Sequence, residues 1–429
     1  MKPVVFWFRN DLRLNDNPAL AKALKTGRPV VPIYVWDERS WAPERASDRR
    51  RKFQAESLRD LRQALEARGA ALLVEAGDPA AILNDLCERF GADTVYATKE
   101  HTTEEVEREE AIAASAVDLH LEEAMTLIHP EDLPFALAQL PDVFTRFRNK
   151  VEKDWVVCET VPAPERMSVP EGLTSSEITV PEGVSDDPRS VLPFEGGATA
   201  AHARLTHYFW TKRRLAVYKK TRNGLLGADY SSKFSPWLAN GCISPREIYD
   251  EVMRFEEEVE RNESTYWLVF ELLWRDYFRF VAWRHGARLF WKSGIKAVAD
   301  RKGDVGPGAA DNRAERAFEA WKTGATKDAF VNANMRELAA TGFMSNRGRQ
   351  NVASYLVHDL GVDWRWGAAY FEQQLIDYDP ASNWGNWAYI AGVGNDPRPN
   401  RKFNTRSQAE RYDPEGKYVA VWSQPTLLS

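Results

Sequence analysis

Cysteine is scarce in this chain. Its 429 residues hold three, Cys87, Cys158 and Cys242, far apart and without a CxxC pair. That spacing argues against a disulfide framework and against a structural zinc site. Long apolar runs are missing too: the start, Met1-Lys-Pro-Val-Val-Phe-Trp-Phe-Arg-Asn10, is too short for a signal peptide, and no uninterrupted stretch approaches membrane-spanning length. Positive charge is not in excess. With a net charge of −6 the chain as a whole repels polyanions, so contact with nucleic acid requires a local patch. HExxH, GxSxG and Walker motifs do not occur, which leaves hydrolase and NTPase chemistry without support. The expectation is a protein of a reducing compartment, most simply the cytoplasm, with no membrane partner.

Tryptophan, by contrast, is abundant: 16 residues, concentrated after position 200. Packing is the default use of indole, though so much of it invites a further role. The length predicts two or three compact units, and 44% hydrophobic content fits an ordinary soluble enzyme.

Residues 1–130 alternate short β-branched or aromatic runs (Val4–Phe8, Val30–Val35, Ala71–Glu75, Thr94–Ala97) with helical patterns (Arg49–Arg68, Pro79–Phe90, Glu104–Ala116). Strand-helix alternation predicts an α/β unit with a doubly wound parallel sheet. Arg9-Asn-Asp-Leu-Arg13 follows the first run where a dinucleotide-binding half would carry its glycines, so standard NAD binding is excluded. Residues 131–199 read as an inter-domain connector, Pro-, Glu-, Ser- and Gly-rich from about 159 onward. Residues 200–429 read as one large all-helical domain, interrupted by an exposed loop at Ala299–Asp311.

The richest stretch is Leu375-Ile-Asp-Tyr-Asp-Pro-Ala-Ser-Asn-Trp-Gly-Asn-Trp-Ala-Tyr389. Its carboxylates Asp377 and Asp379 and the amide of Asn383 stand among Trp384, Trp387 and Tyr389. Polar groups in such company need partners or a ligand. They mark either a capped helical corner or a cradle for a planar, hydrogen-bonding group. In Thr221-Arg-Asn-Gly-Leu-Leu-Gly-Ala-Asp-Tyr-Ser-Ser-Lys-Phe-Ser-Pro-Trp-Leu238, Ser235 before Pro236 predicts a helix start with Ser235 as N-cap, and small hydroxyls there suit phosphate oxygens. An ordinary capped loop has the same composition. From Arg204 to Arg222 seven Lys/Arg residues occur without an acid, interleaved with aromatics; they form either a solvated helix face or a phosphate-contact strip. Glu271, Trp274 and Arg275 share one helix face, as do Asn346, Arg349 and Gln350. A carboxylate beside an indole suits nucleobase recognition. Arg349 could pair with either Asp377 or Asp379.

Together these segments resemble the photolyase/cryptochrome flavoprotein family, and most closely its DASH cryptochrome branch. The resemblance runs from Trp7 to Tyr418 and is most specific over Asp229–Arg246, Thr341–Val352 and Asn383–Arg398. It implies an antenna domain followed by a helical domain holding FAD. Tyr218, Ser231, Ser232 and Ser235 would hold the pyrophosphate and ribose region. Arg275, Asn346, Arg349, Asp377, Asp379 and Asn383 complete the implied cofactor set, with Asn383 facing flavin N5. Glu271, Trp274, Gln350, Asn383 and Tyr389 would receive and process a cyclobutane pyrimidine dimer. The implied chemistry is donation of one electron by excited reduced flavin, breakage of the dimer bonds and return of the electron, which makes the chain a light-dependent deoxyribodipyrimidine photolyase. Duplex-acting relatives carry Met and Trp where this chain has Gln350 and Tyr389. A more polar pocket with a smaller aromatic repays less of the cost of flipping a paired base, so single-stranded or looped-out DNA is the expected partner. Ser345 stands where 6-4 photolyases use His, which disfavours that branch.

The resemblance also implies electron transfer through Trp387 and Trp364, but the outer position of that relay falls on Asp311. The outer tryptophan is missing or displaced, to Trp321 or Trp291. Lys327–Met335 also departs from the family pattern. A folate antenna, methenyltetrahydrofolate, is implied, with Glu105 as its ligand. The competing function is a blue-light photoreceptor with little repair activity. A monomer is expected.

Overall fold

The computed structural model describes residues 1–115, 117–296, 312–396, 398 and 401–424. The loop expected at Ala299–Asp311, with the relay position Asp311, and the end of the expected helix at Ala116 lie outside them.

The amino-terminal part runs β1 (Val4–Phe8), α1 (Pro18–Lys25), β2 (Val30–Trp36), α2 (Asp48–Glu66), β3 (Leu73–Ala76), α3 (Pro79–Phe90), β4 (Thr94–Thr98), α4 (Thr103–Ala113) and β5 (Asp118–Glu122). The five strands form one parallel sheet in the order β3-β2-β1-β4-β5. Strands β1 and β4 are buried throughout, as the continuous apolar runs require of a sheet covered on both faces. Helix α3 opens on Asp78, whose side chain accepts from Ala81 N, and stops at Gly91 with φ 66°, a conformation only glycine adopts without strain. Two elements fall outside the runs expected from the sequence. Strand β5, Asp-Leu-His-Leu-Glu, is a half-exposed edge, and the short α1 depends on the Asn17 cap and Pro18.

Strand order reverses at β1, between β2 and β4, and such a switch point leaves a crevice at the carboxyl ends of the strands. The segment after β1 fills part of it and docks on the helical part. Leu12 N donates to Asn240 O (3.2 Å) and Arg13 Nη1 to Gly241 O (3.0 Å). Gly241 sits so close that a Cβ there would lie 1.9 Å from Asn10 O.

The stretch expected as connector is not wholly irregular. It contains α5 (Phe144–Val151), whose Phe144 and Phe147 are buried in the core. After it the chain lies along the sheet domain, where Ser168 O accepts from Val30 N and Ser176 Oγ accepts from Val74 N.

Among the described residues from 198 onward every regular element is helical: α6 (Ala198–Thr206), α7 (Tyr218–Thr221), α8 (Ser235–Ala239), α9 (Pro245–Glu258), α10 (Glu263–His285), α11 (Asn312–Lys322), α12 (Ala329–Thr341), α13 (Asn346–Ser354), α14 (Trp364–Gln374), α15 (Pro380–Ile390), α16 (Thr405–Tyr412) and α17 (Lys417–Ser423). Helix α10 packs against both α5 and α15. Among the described residues no helix is long and apolar enough to cross a membrane.

Candidate functional site

A cavity of about 1500 Å³ opens within the helical part, walled by α7, the Ser231–Ser235 loop, α10, α13 and α15. Tyr218, Ser231, Ser232, Ser235, Glu271, Arg275, Asn346, Arg349, Gln350, Asp377, Asp379, Asn383 and Trp387 all line it. The structure thus gathers residues up to 169 positions apart in sequence, Tyr218 to Trp387, onto one surface.

Each wall has a local cause. Asp379 N-caps α15, accepting from Ser382 N at 2.7 Å, and Pro380 supplies the first turn. The cap aims Asn383 and Trp387 inward, one turn apart. Asn383 donates from Nδ2 to Ala368 O (3.0 Å), leaving its oxygen and second N–H for the cavity. Arg349 pairs with Asp377 (2.7 Å) rather than with Asp379, whose partner is Arg279. Burial works to raise the Asp379 carboxyl, but Arg279 and Arg275 outweigh it and hold it below the ordinary value. Burial, with Arg279 alongside, lowers the Arg275 guanidinium to about 9. Its two terminal nitrogens donate to Met125 O and Leu238 O. Burial raises Glu271 despite its ion pair with Arg222 at 2.6 Å.

Two expectations are corrected. Ser235 is not an N-cap: the helical turn already begins at Phe234, and no side chain caps α8, which is five residues long. Arg204 does not belong to a solvent-facing strip. It is buried and donates to Ala228 O, Ser231 O and Ser232 O, holding the serine loop in shape. Trp274 and Tyr389 meet edge-to-face at 6.1 Å but stand outside the cavity wall. Phe144 covers one face of Trp274 at 3.7 Å and 13°, and Arg401 lies over Tyr389.

Three wall or supporting residues were not singled out from the sequence. Lys233 falls inside the Ser231–Ser235 motif and is a buried lysine with φ 58°. Its Nζ lies 3.2 Å from the centre of the Tyr230 ring. Arg279 was legible as one turn beyond Arg275 on the same helix. Tyr378 had no signal beyond its place between two aspartates.

The relay candidates take part in two tryptophan contacts. Trp387 meets Trp321 at 6.1 Å and Phe371 at 5.1 Å; Trp364 meets Trp384 at 5.7 Å. Trp321, Trp364 and Trp387 belong to one buried cluster.

A second cavity, about 1040 Å³, occupies the crevice at the switch point. Trp7, Arg9, Asn10, Tyr34, Trp41, Arg45, Arg50 and Glu105 are among its walls, together with Tyr378 and Trp384 from the helical part. Tyr378 therefore lines both cavities. Glu105 Oε2 accepts from Thr102 Oγ1, and its Oε1 lies 3.8 Å from Arg108.

Comparison with known proteins identifies this architecture. Residues 4–166 match the family model described as DNA photolyase, and residues 267–426 the one described as the FAD binding domain of DNA photolyase. The chain is 49% identical to a cryptochrome DASH of Natronomonas pharaonis, covering 98% of this chain and 90% of that protein. The chain belongs to the photolyase/cryptochrome family, in its DASH branch. A solved Synechocystis cryptochrome superposes with a TM-score of 0.91 at 46% identity, over 98% of this chain and 88% of that one. A class III photolyase of Agrobacterium tumefaciens, 28% identical, gives 0.83 over 98% and 86%.

As a family member the chain carries an FAD-binding domain, and the first cavity fits that cofactor. Two buried polar atoms on its wall, Asp377 Oδ1 and Lys233 Nζ, have no hydrogen-bond partner among the described residues. A ligand bearing phosphates and a hydrogen-bonding ring system would satisfy both, and buried orphan polar groups otherwise cost about 1–3 kcal/mol each.

Proposed function

We propose that this DASH family member is a light-driven photolyase for cyclobutane pyrimidine dimers, acting by preference on single-stranded or looped-out DNA. The observation that carries the reading is a cavity with Asn383 and Trp387 in its wall, beside an aromatic rim of Trp274 and Tyr389. We read residues 1–130 as the antenna domain, 131–199 as connector and 200–429 as the catalytic domain.

The chemistry supplied by bound reduced FAD is light-driven transfer of one electron to the dimer, with its return after the two ring bonds have broken. Everything else falls to the protein. Ser231, Ser232, Ser235, Tyr218 and Lys233 hold the pyrophosphate and ribose. Arg349 with Asp377, Asn346, Arg275 and Asp379 would hold the ring systems, and Asn383 would offer an amide, able to donate or accept, to the flavin ring. Glu271 presents a carboxylate to the edge of the damaged bases, and Arg222 orients it. Gln350, fixed by a hydrogen bond from Arg347 (3.0 Å), adds a polar contact. Trp274, half-buried and stacked with Phe144 and Phe278, offers its indole to the lesion. Because Gln350 and Tyr389 offer less apolar area than Met and Trp would, the pocket offsets less of the unpairing cost in a duplex.

The second cavity suits an aromatic, anionic antenna chromophore such as methenyltetrahydrofolate. Trp41 and Tyr34 would meet the ring, Arg50 would meet charge and Glu105 would accept a hydrogen bond, while Arg9, Arg45 and Arg108 on the same wall are paired with Glu109, Glu372 and Asp37.

The test is dimer loss from irradiated single-stranded thymine oligomers incubated with reduced holoprotein, in light against dark. Light-dependent loss exceeding that on duplex is expected; no loss would favour the photoreceptor reading. A second expectation concerns photoreduction. With Asp311 at the outer relay position and Trp321, the ring partner of Trp387, fully buried, an oxidised Trp321 has no direct contact with solvent. Blue light with an added thiol should bleach the oxidised-flavin absorbance slowly, and Trp387→Phe should abolish the bleaching while leaving repair by chemically reduced protein intact. Rapid, efficient bleaching of the unmodified protein would contradict this.

A further inference from the structure

One guanidinium, that of Arg279, stands between the two cavities and serves a carboxylate on each side. On the flavin side its Nη2 donates to Asp379 Oδ2, and on the sheet side its Nη1 lies 4.0 Å from Glu100 Oε2. Arg279, Asp379 and Glu100 are all buried, Glu100 to 3% exposure. Glu100 follows β4 in the loop to α4, at the carboxyl edge of the sheet where the second cavity lies. Its Oε1 accepts from Asn10 Nδ2 at 2.9 Å, and Asn10 is a wall of that cavity. Asp379 is a wall of the first cavity and the cap of the helix bearing Asn383 and Trp387. A chain of polar contacts, Asn10–Glu100–Arg279–Asp379, its middle link an ion pair at 4.0 Å and its last three members buried, thus joins the two walls.

We propose that Glu100 is a positioning residue for the flavin site: through Arg279 it sets the field and the hold that Asp379 exerts at the start of α15, and so couples occupancy of the second cavity to the properties of the first. The inference rests on FAD occupying the first cavity. The physical basis is competition. Two carboxylates share one cation at short range and low effective dielectric, so charge gained or lost on Glu100 changes what Arg279 offers Asp379. Glu100 is well suited to such a change. Burial, opposed by Arg9 and Arg279, lifts its carboxyl to about 7. The charged groups facing it are Arg9 from the β1 loop, Arg279 from α10, and Glu105 and Glu109 from α4, the last accepting the Glu100 N–H at 2.9 Å. A ligand in the second cavity that draws on the Asn10 amide weakens a hydrogen bond favouring ionised Glu100, and linkage makes the effect reciprocal.

The test uses FAD-loaded full-length protein and follows the midpoint potential of the bound flavin from pH 5.5 to 8.5. Above the Glu100 carboxyl value, its negative charge disfavours uptake of electrons nearby. The unmodified protein should therefore show an extra fall in potential through pH 7, beyond the flavin's own proton-linked slope. Glu100→Gln should lack the extra fall, coinciding with the unmodified protein at pH 5.5 and lying above it at pH 8.5. Superimposable curves would overturn the proposal. If Glu100→Gln does not fold, Asn10→Ala decides: removing the donor to ionised Glu100 should move the extra fall to higher pH, and an unmoved curve overturns the idea. Failure of the unmodified protein to load FAD, seen directly in its visible spectrum, would instead refute the reading beneath it.

Discussion

Arg349→Ala should yield protein that is nearly colourless after gel filtration. The Asp377 side chain is 1% exposed, and its Oδ2 has Arg349 Nη2 as partner at 2.7 Å while Oδ1 has none. Removing the guanidinium leaves a buried, unpaired carboxylate on the cavity wall, a change that costs about 3–5 kcal/mol. Expressed in cofactor binding alone, that corresponds to a loss of FAD affinity of roughly 150- to 4000-fold. Part of the cost should instead appear as a lower urea midpoint, since Arg349 also donates from Nε to Met344 O (2.9 Å) and so ties α13 to the turn before it. Arg349→Lys keeps the charge but not the two-directional fork, and should fall between the two. Full FAD content and an unchanged urea midpoint in the alanine variant would show that Asp377 does not need this partner.

Trp274→Ala should separate lesion binding from cofactor binding. The indole lies outside the wall of the first cavity, so FAD content should stay near that of the unmodified protein. Stacking of a base on an aromatic side chain contributes about 1–3 kcal/mol, so affinity for a single-stranded oligonucleotide containing a thymine dimer should fall by roughly 5- to 150-fold. Affinity for the undamaged oligonucleotide should change little, because phosphate contacts dominate it. Trp274→Phe preserves a ring against Phe144, whose stack at 3.7 Å would otherwise lose its partner, and should recover most of the loss. Fluorescence anisotropy on the two oligonucleotides reads the difference. Unaltered discrimination between them would remove Trp274 from the lesion site.

The ordering of the chain was legible because its signals are local. Continuous β-branched runs at Val4–Phe8 and Val30–Val35 fit only buried strands, and Asp78-Pro79 with Gly91 brackets a helix by cap chemistry alone. Strand β5 was missed: Asp118–Glu122 does alternate polar and apolar residues, but five positions with two leucines make a short signal. Helix α5 was masked by its position in a connector whose later half is rich in Pro and Glu. Ser235 misled for a related reason. Ser before Pro is a sound cap signal, yet the turn began one residue earlier, at Phe234.

The site shows the same division more sharply. Sequence alone marked Asp377, Asp379 and Asn383 in an aromatic stretch, and the serines of a Gly-bounded loop, as residues that need partners or a ligand, and the structure places them on one cavity wall. Only the tertiary structure decided that Arg349 takes Asp377 and Arg279 takes Asp379, that Trp387 faces Trp321, and that Tyr378 separates two cavities. Pairing among charges 28 and 100 positions apart depends on how helices cross, and no local pattern records a crossing.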